Sequence, residues 1–140
     1  MAVLLLALQV VLSVVVKLYV TIPLNHPGSS VGGYFGQSQQ SLSWALAHSD
    51  PWLQVHTAVG LLLVLLGLVI LAIAVVTLRA SLFFASLVGF VGIAGAAAAV
   101  AAYLDFHQSV DLLLMTIGLA LAIVAYTGAL LITPPGRSRY

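Results

Sequence analysis

Long apolar stretches, separated by one long polar segment and by short turns, dominate the pattern of this chain. Four of them are long enough to cross a membrane as helices, which takes about 20 residues each. Their approximate bounds are 2–22, 51–78, 81–104 and 106–133. The pattern therefore predicts an all-α protein, an integral membrane four-helix bundle in which residues 1–140 form a single transmembrane domain.

Composition supports a lipid environment for this bundle. The chain has 140 residues, of which 63% are hydrophobic and 5% are charged, whereas a soluble domain carries about 25% charged residues. The net charge of +1 argues against nucleic-acid binding, because no basic stripe is available to neutralise phosphates. The chain has no cysteine, which excludes thiol redox chemistry, disulfide exchange and iron–sulfur ligation.

Basic residues near the ends of the apolar stretches predict the orientation. Arg79, Arg137 and Arg139 fall on one side of the membrane if the chain crosses it four times, and such residues mark the cytoplasmic side. Both termini are then cytoplasmic, and the 23–50 loop and the 104–108 turn are extracytoplasmic. We expect the first stretch to be retained as a helix, because it lacks the positive n-region and cleavage pattern of a signal peptide.

This topology gathers the ionisable side chains at the extracytoplasmic side. No histidine or acidic residue falls in the cytoplasmic half, whereas a proton or ion path needs polar groups at several depths. We therefore do not expect a transporter or a channel. The side chains concerned are those of His26, His48, Asp50, His56, Asp105, His107 and Asp111.

The second and fourth apolar stretches share the pattern H-x-x-V-x-L-L-L-x-x-x-G-L. It begins at His56 and at His107, and it places Gly67 and Gly118 at the same offset. The histidine and glycine matches indicate two equivalent hairpins. Parallel repeats of this kind are related by a pseudo-twofold axis along the membrane normal. If both histidines face this axis, they point at each other across the bundle.

Two facing imidazoles can bind the iron of a low-spin heme from opposite sides. We therefore expect His56 and His107 to be the metal ligands of one heme. The third stretch would offer the porphyrin small residues such as Gly89 and Gly92. Those glycines are equally suited to close helix packing without any cofactor.

The depths of the two histidines set a condition on this hypothesis. Asp50-Pro51 is a good helix start, which places His56 about 9 Å below it at 1.5 Å per residue. His107 follows Asp105 by only two residues. The fourth helix would have to begin near Ala102 to bring the two imidazoles to the same level.

The arrangement of His56 and His107 resembles one four-helix half of heme A synthase, and the small bacterial four-helix membrane proteins that look like such a half. The resemblance implies a b-type heme with these two axial ligands, and the plasma membrane of a prokaryote as the location. The synthase also has a glutamate shortly before its second-helix histidine. Residues 52–55 contain no acid, so the heme-oxidising activity of the synthase is not carried over.

Lys17 and Asp111 have alternative roles near this expected site. Lys17 either extends to the membrane interface or makes a salt bridge with a heme propionate or with Asp111. Asp111 lies four residues after His107, on the same helical face. It either orients that imidazole as a hydrogen-bond acceptor or is an interfacial charge.

The remaining histidines, His26 and His48, are expected to be solvated in the polar loop. A copper or zinc site that joins them with His107, Asp50 or Asp105 is an alternative, since imidazole suits those metals. No H-x-x-x-H spacing supports it.

Two classes of function remain. The first is a b-type cytochrome-like heme protein or subunit that transfers electrons near the extracytoplasmic face. The second is an accessory subunit of a larger membrane complex, without a cofactor of its own. Both have the lipid bilayer and other membrane subunits or a second copy of the chain as partners. We expect no enzymatic activity from the chain alone, because no nucleophile or acid–base pair occupies a plausible cleft.

Overall fold

Five α-helices make up the computed structural model, which describes residues 1–23, 25–28, 33–106 and 108–132, apart from the side chain of Tyr34. No strand occurs in those ranges, so the all-α prediction is confirmed. The helices are α1 (Ala2–Tyr19), α2 (Tyr34–Ala47), α3 (Pro51–Val76), α4 (Ala80–Phe106) and α5 (Ser109–Ile132).

Four of these helices, α1, α3, α4 and α5, are long and apolar enough to cross a membrane. They correspond to the four predicted stretches. The largest differences are at the end of α1, which is Tyr19 and not 22, and at the start of α5, which is Ser109 and not 106. Many large apolar side chains on their outer surfaces are exposed, among them Leu65, Val91 and Val124. Such a surface suits lipid and not water.

The start and end of α3 follow from local chemistry. The Asp50 carboxylate accepts a hydrogen bond from the backbone N–H of Trp52 at 2.9 Å, and Pro51 occupies the first helical position. Both features favour a helix start. At the other end Leu78 adopts a positive φ of 52°, which reverses the chain into α4 within the tight turn expected around Arg79.

The four long helices are arranged as a square. Both α1 and α4 lie beside α3 and α5, so α3 and α5 occupy diagonal corners, as do α1 and α4. The main core lies between them and contains Leu6, Leu63, Ile93, Ala96, Leu119, Ala122 and Tyr126.

The 23–50 segment contains a helix that the sequence did not predict. Helix α2 packs on α3 and α4 and forms a second small core from Ala45, Leu53 and Leu104. The Ser41 hydroxyl donates to Asp105 Oδ1 at 2.6 Å, which ties α2 to the end of α4. We call this end of the bundle the α2 end. It is the end at which α3 and α5 begin.

Candidate functional site

His56 lies inside the bundle, near the α2 end. It is the sixth residue of α3, about 7.5 Å along the helix from Pro51. Only 4% of its surface is exposed. A histidine buried at this depth in an apolar helix needs polar neighbours or a ligand, because its nitrogens cannot reach water.

Gln9 of α1 is the polar neighbour of His56. Its side-chain Nε2 donates to the backbone oxygen of His56 at 3.1 Å. The same atom is 3.2 Å from Nδ1 and 3.4 Å from Nε2 of the imidazole. Gln9 is itself 4% exposed, and its Oε1 has no hydrogen-bond partner among the described residues. The amide therefore covers one side of the imidazole and leaves a buried acceptor unused.

Two cavities meet at His56. The Gln9 cavity has a volume of about 60 Å³ and is lined by Gln9, Thr57 and Gly60, together with residues of α4 and α5. The Lys17 cavity is larger, about 280 Å³, and all four long helices contribute to it. Three residues line both cavities and form the wall between them: His56, Val100 and Met115.

The Lys17 cavity combines an apolar lining with a few polar groups. Lys17 Nζ donates to the hydroxyl of Tyr103 at 3.4 Å and lies 5.7 Å from the centre of its ring. Asp111 also lines the cavity and is 8% exposed. Its Oδ2 has no hydrogen-bond partner within the described part of the chain. Convergent polar groups in an apolar cavity are typical of a small-molecule site.

The two glycines expected to face a porphyrin pack against α5 instead. A Cβ on Gly89 would lie 2.7 Å from the ring of Tyr126, and one on Gly92 would lie 2.5 Å from the carbonyl oxygen of Gly118. Neither glycine lines the two cavities at His56. The geometry favours the helix-packing alternative for both, because small residues allow the backbones of α4 and α5 to approach closely.

The predicted second ligand, His107, lies outside the described residues. Helix α4 ends at Phe106 and α5 begins at Ser109. The fourth helix therefore does not begin near Ala102, which equal depth of His56 and His107 required. Asp111, the third residue of α5, contributes to the same cavity as His56.

The other histidines and acids do not form a metal site in the described ranges. No group of three or more His, Cys, Asp or Glu side chains there could hold a metal ion. His26 is buried, so the expectation that it is solvated was wrong. It stacks on Trp44 at 4.9 Å and donates through Nε2 to the carbonyl oxygen of Leu104 at 2.8 Å. His48 is exposed at the end of α2.

Two residues of the site, Gln9 and Met115, were not predicted from the sequence. A signal for Gln9 was available, since Gln9, Ser13 and Lys17 recur every four residues in an otherwise apolar helix. That spacing places them on one face. Met115 lies four residues after Asp111 and so on the same face of α5, but a methionine in a membrane helix is indistinguishable from ordinary core.

Compared with known proteins, the chain matches no family model, no curated protein and no solved structure. The function is therefore inferred from the site itself.

Proposed function

We propose that the chain is a membrane b-type heme protein that transfers electrons near the α2 end, with His56 as an axial ligand. One observation carries the proposal: a buried imidazole stands in the wall between two cavities inside an apolar bundle. Neutral imidazole is the form that binds iron. The proposal concerns the site next to His56 and not the third-helix glycines, which pack against α5.

The available donors suit heme better than a bare metal ion. A copper or zinc site needs three or four protein ligands, and no such cluster occurs among the described residues. Heme takes at most two ligands from the protein and carries its own four nitrogens. When bound, it supplies reversible one-electron chemistry.

Other residues of the site would hold the group in place. Lys17 and Tyr103 line the larger cavity, where both could donate to the propionates through charge-assisted or hydroxyl hydrogen bonds. The apolar residues around His56 would exclude water from a bound heme, and the resulting low dielectric would help to set the reduction potential of its iron. From the sequence alone, the helix repeat predicted His107 as the second ligand, and that residue lies outside the described ranges.

Orientation and symmetry belong to the same proposal. Arg79, Arg137 and Arg139 support cytoplasmic termini, which would place the α2 end outside. The diagonal positions of α3 and α5 support an axis relating the two hairpins. Helices α4 and α5 pack more closely than α1 and α3, so the two hairpins are not strictly equivalent.

Purified protein tests the proposal directly. We expect a red preparation with one heme per chain and a sharp absorption band in the reduced form. His56→Ala should abolish the low-spin spectrum, whereas His48→Ala, at an exposed position on α2, should leave it unchanged. A colourless protein that takes up no added heme would overturn the proposal.

A second candidate, a cofactor-free accessory subunit, is favoured by the contact between Gln9 and His56. The Gln9 amide already lies within hydrogen-bond distance of the imidazole and of the backbone oxygen of His56. His56 therefore has a polar partner without iron. In that case the purified protein is colourless and other membrane subunits co-purify with it. His56→Gln should then preserve the assembly, because a second amide can satisfy the same neighbour.

A further inference from the structure

We propose that Met115, and not His107, provides the second axial ligand opposite His56; this inference rests on the proposed heme function. The observation behind it is the wall between the Gln9 and Lys17 cavities. Of all the residues that line them, only His56, Val100 and Met115 line both. Two of these three side chains carry atoms that bind heme iron.

The positions of the helices place the two side chains on opposite sides of the bundle. His56 belongs to α3 and Met115 to α5, and these helices occupy diagonal corners of the square. A flat group between diagonal helices meets one ligand from each side. Val100 of α4 forms the third part of the wall, where it would pack on the edge or face of the ring.

Depth along the helices favours Met115. His56 is the sixth residue of α3 and Met115 is the seventh of α5, and both helices begin at the α2 end. Each residue therefore lies about 7.5–9 Å from the start of its helix.

The chemistry of a thioether suits this location. Methionine sulfur binds heme iron opposite histidine in known cytochromes and raises the reduction potential. It carries no proton, so placing the half-buried Met115 beside the Lys17 cavity has no ionisation cost. The competing explanation is that Met115 only fills an irregular gap in the core, as methionine often does.

Substitutions at two positions separate these possibilities. Met115→Leu removes the sulfur and conserves the volume, so the fold should persist by circular dichroism and gel filtration. We expect it to eliminate the thioether–iron charge-transfer band in near-infrared magnetic circular dichroism and to convert the heme to high spin. Met115→His should restore a low-spin heme with a lower midpoint potential. His107→Ala should leave both the band and the potential unchanged.

Other results would contradict either the Met115 ligand or the heme function. If His107→Ala abolishes the low-spin heme and Met115→Leu retains it, the Met115 ligand is overturned while the heme function stands. If the wild-type protein shows no thioether band although it holds low-spin heme, the same conclusion follows. If wild-type protein binds no heme at all, the proposed function fails and the ligand assignment with it.

Discussion

Gln9 is the residue on which the environment of His56 depends most directly. A single amide of α1 contacts the backbone oxygen and both ring nitrogens of His56. Both residues are nearly inaccessible, so neither can exchange this contact for water. The contact also joins α1 to α3 at the level of the cavity wall.

Replacing Gln9 by Leu should destabilise the bundle. The substitution removes a buried donor and leaves the polar atoms of His56 without a partner, which costs about 1–3 kcal/mol. Chemical denaturation in detergent would measure the loss. Gln40→Leu, at an exposed position on α2, is the control and should change the free energy of unfolding little. An equal effect of both substitutions would mean that the buried amide has no special role.

At the scale of helices, the pair α4–α5 is the most closely packed part of the bundle. Gly92 and Gly118 face each other across the interface, and a Cβ on either would lie 2.5 Å from the carbonyl oxygen of the other. Ala96 and Ala122, one turn further along each helix, continue the contact. This spacing of small residues is the one that lets membrane helices approach each other closely.

A side chain at Gly92 should therefore separate these helices. Gly92→Val places new atoms against the backbone of α5, and overpacking of this kind costs about 1–3 kcal/mol. Gly95→Val offers a matched control, because no atom lies within 4 Å of a Cβ built there. Thermal unfolding in detergent should show a lower midpoint for the first variant than for the second. Equal midpoints would contradict the close crossing.

The four spans could be predicted from the sequence because length and apolarity alone define a membrane helix. Helix α2 could not, since its residues are mixed in polarity and no side-chain cap marks its start. Its stability comes from Leu53 and Leu104, which lie on other helices. His26 was misjudged for the same reason: its hydrogen bond to Leu104 joins positions 78 residues apart, and no local pattern encodes that.

Within the site, the sequence predicted His56 but not the residues that contact it. His56 was identified because a histidine in an apolar span needs an explanation. The packing role of Gly89 depends on Tyr126 of α5, and the wall between the cavities depends on how four helices meet. Both are properties of the assembled bundle, not of any stretch of the chain.

At the scale of the whole molecule, the orientation in the membrane decides whether the α2 end faces the cytoplasmic or the extracytoplasmic side. The chain has no cysteine, so single introduced cysteines give labelling without background. In intact cells Gln40→Cys on α2 should react with a membrane-impermeant reagent, while Ser81→Cys at the start of α4 should react only after permeabilisation. Both positions are exposed. The opposite pattern would reverse the proposed orientation.

Helix α2 has a consequence for the order in which the chain is assembled. It precedes α3 and α4 in synthesis, yet its contacts are with those two helices. Ser41 of α2 bonds to Asp105, and His26, which precedes α2 and stacks on its Trp44, bonds to Leu104. In the orientation proposed above, this segment is translocated across the membrane before its binding surface exists. We expect the segment to stay undocked until α4 has been inserted. A nascent chain arrested before residue 104 should therefore expose it to protease, and the completed chain should protect it.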